Sequence, residues 1–344
     1  GDSPPRQLSI DRLGGSFLWT AAADGWQLDV RNIQFARNGS VWPESGFSVS
    51  SRFDDHGRIR ILAGADFARA GDLAAIARVF LSQQPKIVLA LQETAVQGEL
   101  HDLRFEFEQQ ENANLWSFQG RFDSLTTQPW RNMPGVRDLD AAFWLNGDGG
   151  TLLLNGHSTV LHFPGLFRDP LNLKRLQGQI SWTRQQDGGW RLESPDILAV
   201  TNDIHTNTRL MLDIPGHDGT PAFMDLQTDF SDGLAINAHR YYPVGIMPPA
   251  VVAWLDRGIV DGKVTSGSAL VRGPLRDFPF HKTQNGIFEV FFHTENMTID
   301  YSPGWPRLTD VAAEVRFLQN GFDVLIERGR SEEHTSELQS RQSI

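Results

Sequence analysis

The strongest constraint on the fold is an imbalance between strands and helices. The sequence encodes many amphipathic strands and only a few helical residues that could cover them. From Gly98 onward apolar and polar residues alternate with a period of two, and Gly- and Asp-rich turns such as 146–150 and 186–189 separate the runs. About twenty strands and only about thirty helical residues are expected on this pattern. The apolar faces must therefore meet another sheet, close into a barrel, or stay partly open and be filled by a ligand.

Three short helices interrupt the strand pattern. The spacing of apolar residues predicts helices at 72–82 and 85–95, with Asp72 as a candidate N-cap and a proline at the start of the second. A third helix is expected at 248–257, because Pro248 and Pro249 suit a first helical turn and Gly258 suits a helix end. We expect residues 261–263 to form a turn into a strand at 264–272. The helices are expected to lie against an end or edge of the sheet, with Ile76, Phe80, Val252 and Leu255 turned inward.

An internal repeat relates the two halves of the chain. Residues 8–20 match 171–183 at an offset of 163 (171 − 8), and residues 138–149 resemble 310–321 at an offset of 172 (310 − 138). A period this long exceeds a propeller blade or a solenoid rung, so it predicts a multi-strand module that is used twice.

Composition excludes some partners and leaves the site chemistry open. The formal charge of −11 argues against nucleic acid, since phosphate binding needs a basic face. The chain has no Cys, and no apolar run is long enough for a transmembrane helix. The ten His residues are scattered without metal-ligand spacing, and the carboxylates at 54–57 and 146–150 have the spacing of hairpin turns. We therefore expect no catalytic residue, no metal and no cofactor.

The two ends of the chain are expected to be incomplete. Because it opens on Gly1, we expect an internal fragment whose targeting segment lies elsewhere. Residues 330–340 resemble the in-frame translation of a sequencing adapter, so 330–344 is predicted to be an appended tail that packs against nothing, forms no strand pairing and leaves Leu338 unburied.

The segments 134–150, 163–173, 173–182 and 301–317, together with the stretch 240–280 around the third helix, resemble the YhdP group of AsmA-like proteins of Gram-negative envelopes. The resemblance runs through most of residues 8–329. It implies an inner-membrane anchor, a long periplasmic β-groove of repeated modules, and phospholipid movement toward the outer membrane in the manner of bridge-like lipid-transfer proteins. The anchor has no counterpart in this chain, so the resemblance makes the chain a middle length of the conduit.

The sequence thus predicts an all-β fold: an elongated, twisted antiparallel sheet curled into a U-shaped hydrophobic groove, with a few short helices. The expected partners are phospholipid acyl chains, the rest of the same full-length chain and the two membranes, with no nucleic acid, and the expected location is the periplasm, anchored to the inner membrane. The predicted divisions are a β-groove module at 1–65, a helical insertion at 66–97, a β-groove module at 98–240, a helix hinge with the start of another module at 241–329, and the tail at 330–344.

Two other classes of protein remain open at this stage. A structural or ligand-binding β-sandwich would use the same apolar faces as a dry core, and periodicity alone does not separate the two. A glycan-active β enzyme would use tryptophan platforms and two carboxylates about 5–10 Å apart. The candidate groove-lining residues are Phe17, Trp19, Trp26, Leu28, Phe105, Phe107, Phe143, Leu145, Ile180, Trp182, Leu210, Leu212, Val290, Phe292, Val315 and Phe317.

A charge placed on the candidate lining distinguishes a groove from a closed core. Phe143 and Val315 are equivalent in the repeat (143 + 172 = 315). In the full-length protein, Phe143→Glu or Val315→Glu is expected to leave melting normal and to block lipid transport if water reaches the new carboxylate. Loss of folding would instead indicate a sandwich core, since a buried unpaired charge unfolds the module. Thermal unfolding and an envelope lipid-transport assay measure the two effects.

Overall fold

A computed structural model of the chain describes residues 9–80, 84–318, 321–331 and 340–343. The chain divides into two compact units, residues 1–159 (unit 1) and 160–344 (unit 2). Nearly all of the described secondary structure consists of antiparallel strands, joined by a few short helices. The predicted all-β fold is confirmed at this level.

In unit 1, successive strands pair in sequence order, with a helical connection in the middle. The pairs are β1–β2, β2–β4, β4–β5, β5–β6, β6–β7 and β7–β8, and the two-residue β3 pairs with the end of β2. The elements are β1 (Arg12–Ala22), β2 (Gly25–Arg37), β3 (Ser40–Val41), β4 (Phe47–Phe53), β5 (Ile59–Arg69), α1 (Ala70–Phe80), α2 (Pro85–Glu93), β6 (Gln97–Gln109), β7 (Asn114–Thr127), β8 (Gly135–Asn146) and β9 (Gly149–His162), the last of which crosses the unit boundary.

Unit 2 uses the same order of elements. Four strands lead to a helical connection, and four long strands and the four-residue β18 follow, each paired with the next. The elements are β10 (Leu171–Arg184), β11 (Trp190–Val200), β12 (His205–Ile214), β13 (Phe223–Leu234), a 3₁₀ helix (Ala235–Arg240), α3 (Pro249–Gly258), β14 (Ile259–Pro274), a 3₁₀ turn (Leu275–Asp277), β15 (Ile287–Ile299), β16 (Leu308–Leu318), β17 (Gly321–Ser331) and β18 (Ser340–Ser343). If β3 is left aside, β1 corresponds to β10 and β8 to β16, so the repeat predicted from the sequence covers the whole module.

The three α-helices lie where the sequence predicts them, within two residues at each end. α1 contacts β5 and β6 and buries Ala74 and Ala75. Ile76, Val252 and Leu255 are only half-buried, and the side chain of Phe80 lies outside the described part of the chain. Small alanines rather than the larger apolar residues therefore make the closest packing of α1.

Two predictions about strands are wrong. Residues 261–263 do not form a turn, because β14 runs from Ile259 through them and Gly262 takes a positive φ of 129° at a register shift. Ser340–Ser343 form β18, which pairs antiparallel with β17, although the tail was expected to pair with nothing. An exposed strand edge offers free N–H and C=O groups to any segment within reach, whatever its side chains. Leu338 lies outside the described residues.

A row of β-bulges bends the first three strands that follow the helical connection in each unit. Among the positive-φ residues of unit 1, Gly98, Ser124 and Asp138 lie on β6, β7 and β8. Their counterparts in unit 2 are Gly262, Asn296 and Asp310, at offsets of 164, 172 and 172 residues. The pairing registers shift beside these positions in both units. A bulge bends its strand and increases its local twist, so adjacent bulges bend the sheet of each unit along one line.

A buried aspartate fastens the helical connection of each unit to the turn between its second and third long strands. In unit 1, Asp72 of α1 accepts hydrogen bonds from Trp42 Nε1 and Arg37 Nη1, both at 2.8 Å. In unit 2 the carboxylate is on the turn instead: Asp203 accepts from Tyr241 Oη at 2.8 Å and from Asn237 Nδ2 at 2.9 Å. Burial raises the pKa of Tyr241 to about 12, so its hydroxyl stays a donor at neutral pH.

The bulge at Gly262 gives a stability test. A Cβ at this position would lie 2.6 Å from Met297 Cα, and the positive φ adds strain. Gly262→Ala is expected to lower the free energy of unfolding by about 2 kcal/mol more than Gly57→Ala, whose Cβ would meet nothing within 4 Å. Denaturant unfolding of both variants measures the difference. Equal destabilisation would contradict a structural role for the bulge.

The hydrogen bonds that Asp203 accepts from Tyr241 and Asn237, which we call the Asp203 clamp, give a second test. Asp203→Ala leaves the Tyr241 hydroxyl and the Asn237 amide without their acceptor, and the expected loss of stability is about 2–3 kcal/mol. Asp218→Ala removes an exposed turn carboxylate of the same unit and is expected to change stability by less than about 0.5 kcal/mol. Hydrogen exchange should show faster opening of Ala235–Arg240 only in the first variant. Unchanged exchange there would mean that the clamp does not hold this segment.

Candidate functional site

In unit 1 the strand register aligns apolar side chains on one face of the sheet. Directly opposed residues of antiparallel strands point to the same face, and each pairing step in the central row joins two apolar residues. The row across seven strands is Trp19, Leu28, Val49, Ala63, Phe105, Phe118 and Leu145. The adjacent row on the other face is mostly polar: Thr20, Gln27, Ser50, Leu62, Glu106, Ser117 and Asn146.

Unit 2 has an apolar face built in the same way. One row across six strands is Thr206, Phe230, Gly267, Phe292, Val315 and Val324, and a second is Thr208, Thr228, Ala269, Val290, Phe317 and Phe322. Gly267 lets the rings of Phe230 and Phe292 approach to 6.5 Å above it. The opposite face carries ion pairs such as Arg191–Asp213 at 2.6 Å and Arg316–Glu289 at 2.7 Å. We call these two surfaces the apolar faces of unit 1 and unit 2.

The sixteen candidate lining residues fall on these faces, eight in each unit. Phe17 and Trp19 on β1 are 76% and 53% exposed, because β1 is the first strand of its unit and takes its hydrogen bonds from β2. Phe143 is only 3% exposed, since it lies over Gly120 between Phe118 and Phe122. The other thirteen are half-buried.

The burial of Phe143 changes the sequence-based charge test. Phe143→Glu is now expected to unfold unit 1, because its carboxylate would have no access to water. Val315 is half-buried, so the Val315→Glu part of that test stands.

Several face residues were missed from the sequence. Val49 and Ala63 belong to the central row of unit 1. The period-two alternation of residues 47–53 and 59–65 could have identified them from the sequence. Thr208 and Thr228 are polar, so a search for apolar runs passes over them, but each satisfies the other through an Oγ1–Oγ1 hydrogen bond of 3.0 Å. Polar side chains satisfied in this way can lie on an apolar face at low cost.

Each apolar face is buried at its helix end, and its hairpin-turn end is open in unit 1 and partly covered in unit 2. In unit 1, Leu100 and Leu103 pack beneath the helical connection at 5% and 7% exposure, whereas Phe53 at the β4–β5 turn is 45% exposed. In unit 2, Val311 is 1% exposed beside the bulges, whereas Ile214 at the end of β12 is 45% exposed. The open apolar surface of unit 1 therefore begins at the turns, and it becomes a packed core toward the helices. In unit 2, Phe280 is fully buried at the β14–β15 connection, so part of that end of the face is closed.

In the part of the chain that the structure describes, no three His, Asp or Glu side chains are grouped so that they could hold a metal ion. No described helix is both long enough and apolar enough to cross a bilayer. The extended apolar faces are thus the candidate functional site.

Comparison with known proteins agrees with this geometry. A family model described as "YhdP protein" matches residues 2–337. The intermembrane phospholipid transporter YhdP of Escherichia coli K12 is 24% identical over 340 residues, which is 94% of this chain and 25% of that protein. The chain thus spans about a quarter of the length of this relative. No solved structure matches the chain significantly.

Proposed function

The chain belongs to the YhdP family, and we propose that it is one length of a conduit that moves phospholipids between the inner and outer membranes of a bacterial envelope. The observation that carries this proposal is the open apolar face of each unit. Its central rows are apolar on every paired strand of the row in unit 1 and on most strands in unit 2, yet most of these residues are only half-buried. A surface of this size left in water is a binding surface or an aggregation liability.

Partition rather than chemistry would drive the movement. Burying one CH₂ group is worth about 0.8 kcal/mol, so an acyl chain of about sixteen carbons costs on the order of 10 kcal/mol to expose to water. A continuous apolar lining removes most of this barrier. The lining must also lack a deep local well, which would trap the lipid. Rows of similar apolar side chains on consecutive strands meet this requirement, and no cofactor or catalytic residue is needed.

The proposed setting is the periplasm, with attachment to the inner membrane through segments outside this chain. The proposed partners are the phospholipid acyl chains, the rest of the full-length protein and the two membranes. The groove and the location rest on family membership together with the open faces described above. The activity in this proposal, intermembrane phospholipid transport, is that of the Escherichia coli relative, and this chain covers a quarter of that protein's length.

A pair of neighbouring substitutions tests the proposal. Val49 lies in the central apolar row between Leu28 and Ala63, and Ser50 lies next to it on the opposite face. Val49→Glu is expected to lower the amount of bound phospholipid by about tenfold, the factor that ~1.4 kcal/mol of lost affinity produces. Ser50→Glu adds the same charge to the polar face and is expected to change binding little.

Native mass spectrometry of the purified chain measures bound lipid, and thermal unfolding of both variants checks the fold. Transport by the full-length protein with the same substitutions is the second readout. Normal melting with normal lipid binding in Val49→Glu would contradict the proposal. Unfolding of Val49→Glu alone would indicate a closed binding module instead of an open path.

A further inference from the structure

The connection between β14 and β15 is longer than its counterpart in unit 1. Four residues, 110–113, join β6 to β7, which is an ordinary length for a hairpin loop of about two to five residues. Twelve residues, 274–285, separate Gly273 from Gly286, which are the repeat counterparts of the last residue of β6 and the first residue of β7. The offset between the units changes here from 164 to 172, so unit 2 carries an insertion of eight residues. We call residues 274–285 the inserted segment.

Phe280 of the inserted segment lies on the apolar face of unit 2. Gly273 belongs to this face, because it follows Ala269 and Val271 at intervals of two along β14. A Cβ on Gly273 would lie 2.7 Å from Phe280 Cε1, and a Cβ on Gly286 would lie 2.6 Å from Phe280 Cδ1. The ring is 0% exposed. It therefore fills the space that two missing side chains leave at the end of the face.

A second aromatic residue of the inserted segment covers the adjacent row. Val271 and Phe288 are directly opposed on β14 and β15, next to the row that contains Val290. The ring of Phe278 packs edge-on against Phe288, with the ring centroids 5.1 Å apart, and against Phe280 at 5.8 Å. The two phenylalanines thus occupy the hairpin-turn end of the face on these two strands.

The inserted segment is held in this conformation by its own hydrogen bonds. The N–H of Phe280 donates to Asp277 O at 2.7 Å, the N–H of Gln284 donates to Phe280 O at 2.9 Å, and Asn285 Nδ2 donates to Asp277 Oδ2 at 2.7 Å. Phe280 has a φ of 72°, which a bulky residue keeps only where its surroundings hold it. Residues 281–285 are exposed. The segment therefore has an apolar side against the sheet and a polar side toward water.

The part of the apolar face that stays free beside the inserted segment is about as long as one acyl chain. On β15 this strip runs from Phe288, which Phe278 covers, to Thr294, which is 5% exposed in the packed core. The two residues are six positions apart, which is ~20 Å at ~3.4 Å per residue. The chains of one leaflet span about 15 Å, half of a hydrocarbon core of about 30 Å. The strip thus accommodates a chain without the rows that the segment covers.

We propose that the inserted segment is a fixed border of the lipid path, which confines acyl chains on unit 2 to the strip between Phe288 and Thr294. The inference rests on the proposed function. Phe278 and Phe280 form the border, because their rings take the positions on the face that a chain would otherwise occupy. Unit 1 has a four-residue turn at the equivalent position, so its face lacks this border.

Single cysteines map the rows that a lipid reaches, since the chain has no Cys of its own. Val271→Cys probes the row beside the inserted segment, and Val290→Cys is the matched control in the free strip; both valines are half-buried. Each purified 344-residue variant reacts with a water-soluble maleimide, with and without vesicles of phosphatidylethanolamine and phosphatidylglycerol. Lipid at about ten times its Kd is expected to slow the reaction of Val290→Cys about tenfold and to change that of Val271→Cys by less than about twofold.

A shortened connection supplies a second measurement. Residues 274–285 are replaced by the four residues 110–113 of unit 1, which already join two strands of this kind. In this background Val271→Cys is expected to react about tenfold faster without lipid, because the reaction no longer waits for local opening of the segment. Lipid is then expected to protect Val271→Cys as strongly as Val290→Cys.

The outcomes separate this inference from the proposed function. Equal lipid protection of Val271→Cys and Val290→Cys in the unshortened chain means that acyl chains pass beneath the segment, which overturns the inference and leaves the proposed function standing. An unchanged reaction of Val271→Cys after shortening also overturns it. If lipid protects neither thiol in either chain, the proposed function fails and the inference fails with it. If the shortened chain does not fold, the comparison in the unshortened chain decides.

Discussion

The hydrogen-bonded register between consecutive strands is the constraint on which the rest of this structure depends. Each strand pairs with its successor, apart from the two-residue β3, so the offset of one hairpin sets which side chains meet in the next. A slip of one residue in any pair would move an apolar row to the polar face. The unbroken rows from Trp19 to Leu145 and from Phe230 to Val324 depend on correct registers at every step.

The bulges reconcile these registers with a bend in each sheet. A strand that bends without an extra residue would strain its hydrogen bonds, whereas a bulge absorbs the bend at one position. The left-handed conformation required there falls on Gly, Ser, Asn and Asp, of which Gly adopts it freely and Asn and Asp tolerate it better than most residues. The most deeply buried face residues, among them Leu103, Phe143 and Ala313, lie on the hairpin-turn side of the bulges. The bulge row therefore lies at the helix-side border of the packed core in each unit.

Alternation and turn chemistry were sufficient to predict most of the strands, the three helices and the apolar side of most strands. They were insufficient for burial, because Phe143 and Phe105 have the same pattern in sequence, yet only Phe143 lies over a glycine of the neighbouring strand. The turn predicted at 261–263 failed for a related reason: Asp-Gly marks a hairpin only when no continuous partner strand runs beside it, and β15 does so here.

The two aspartate clamps have opposite polarity, with consequences for how such duplicated modules stay distinct. The helical connection of unit 1 brings the acceptor, Asp72, to donors on a turn, whereas that of unit 2 brings donors, among them Tyr241, to the acceptor Asp203. If the two connections were exchanged, carboxylate would face carboxylate in one hybrid, and unpaired donors would face each other in the other. Both hybrids would bury polar groups without partners. Each helical connection is thus compatible only with the turn of its own module. This incompatibility opposes exchange of the helical connections between the two modules, both during folding and by recombination during evolution.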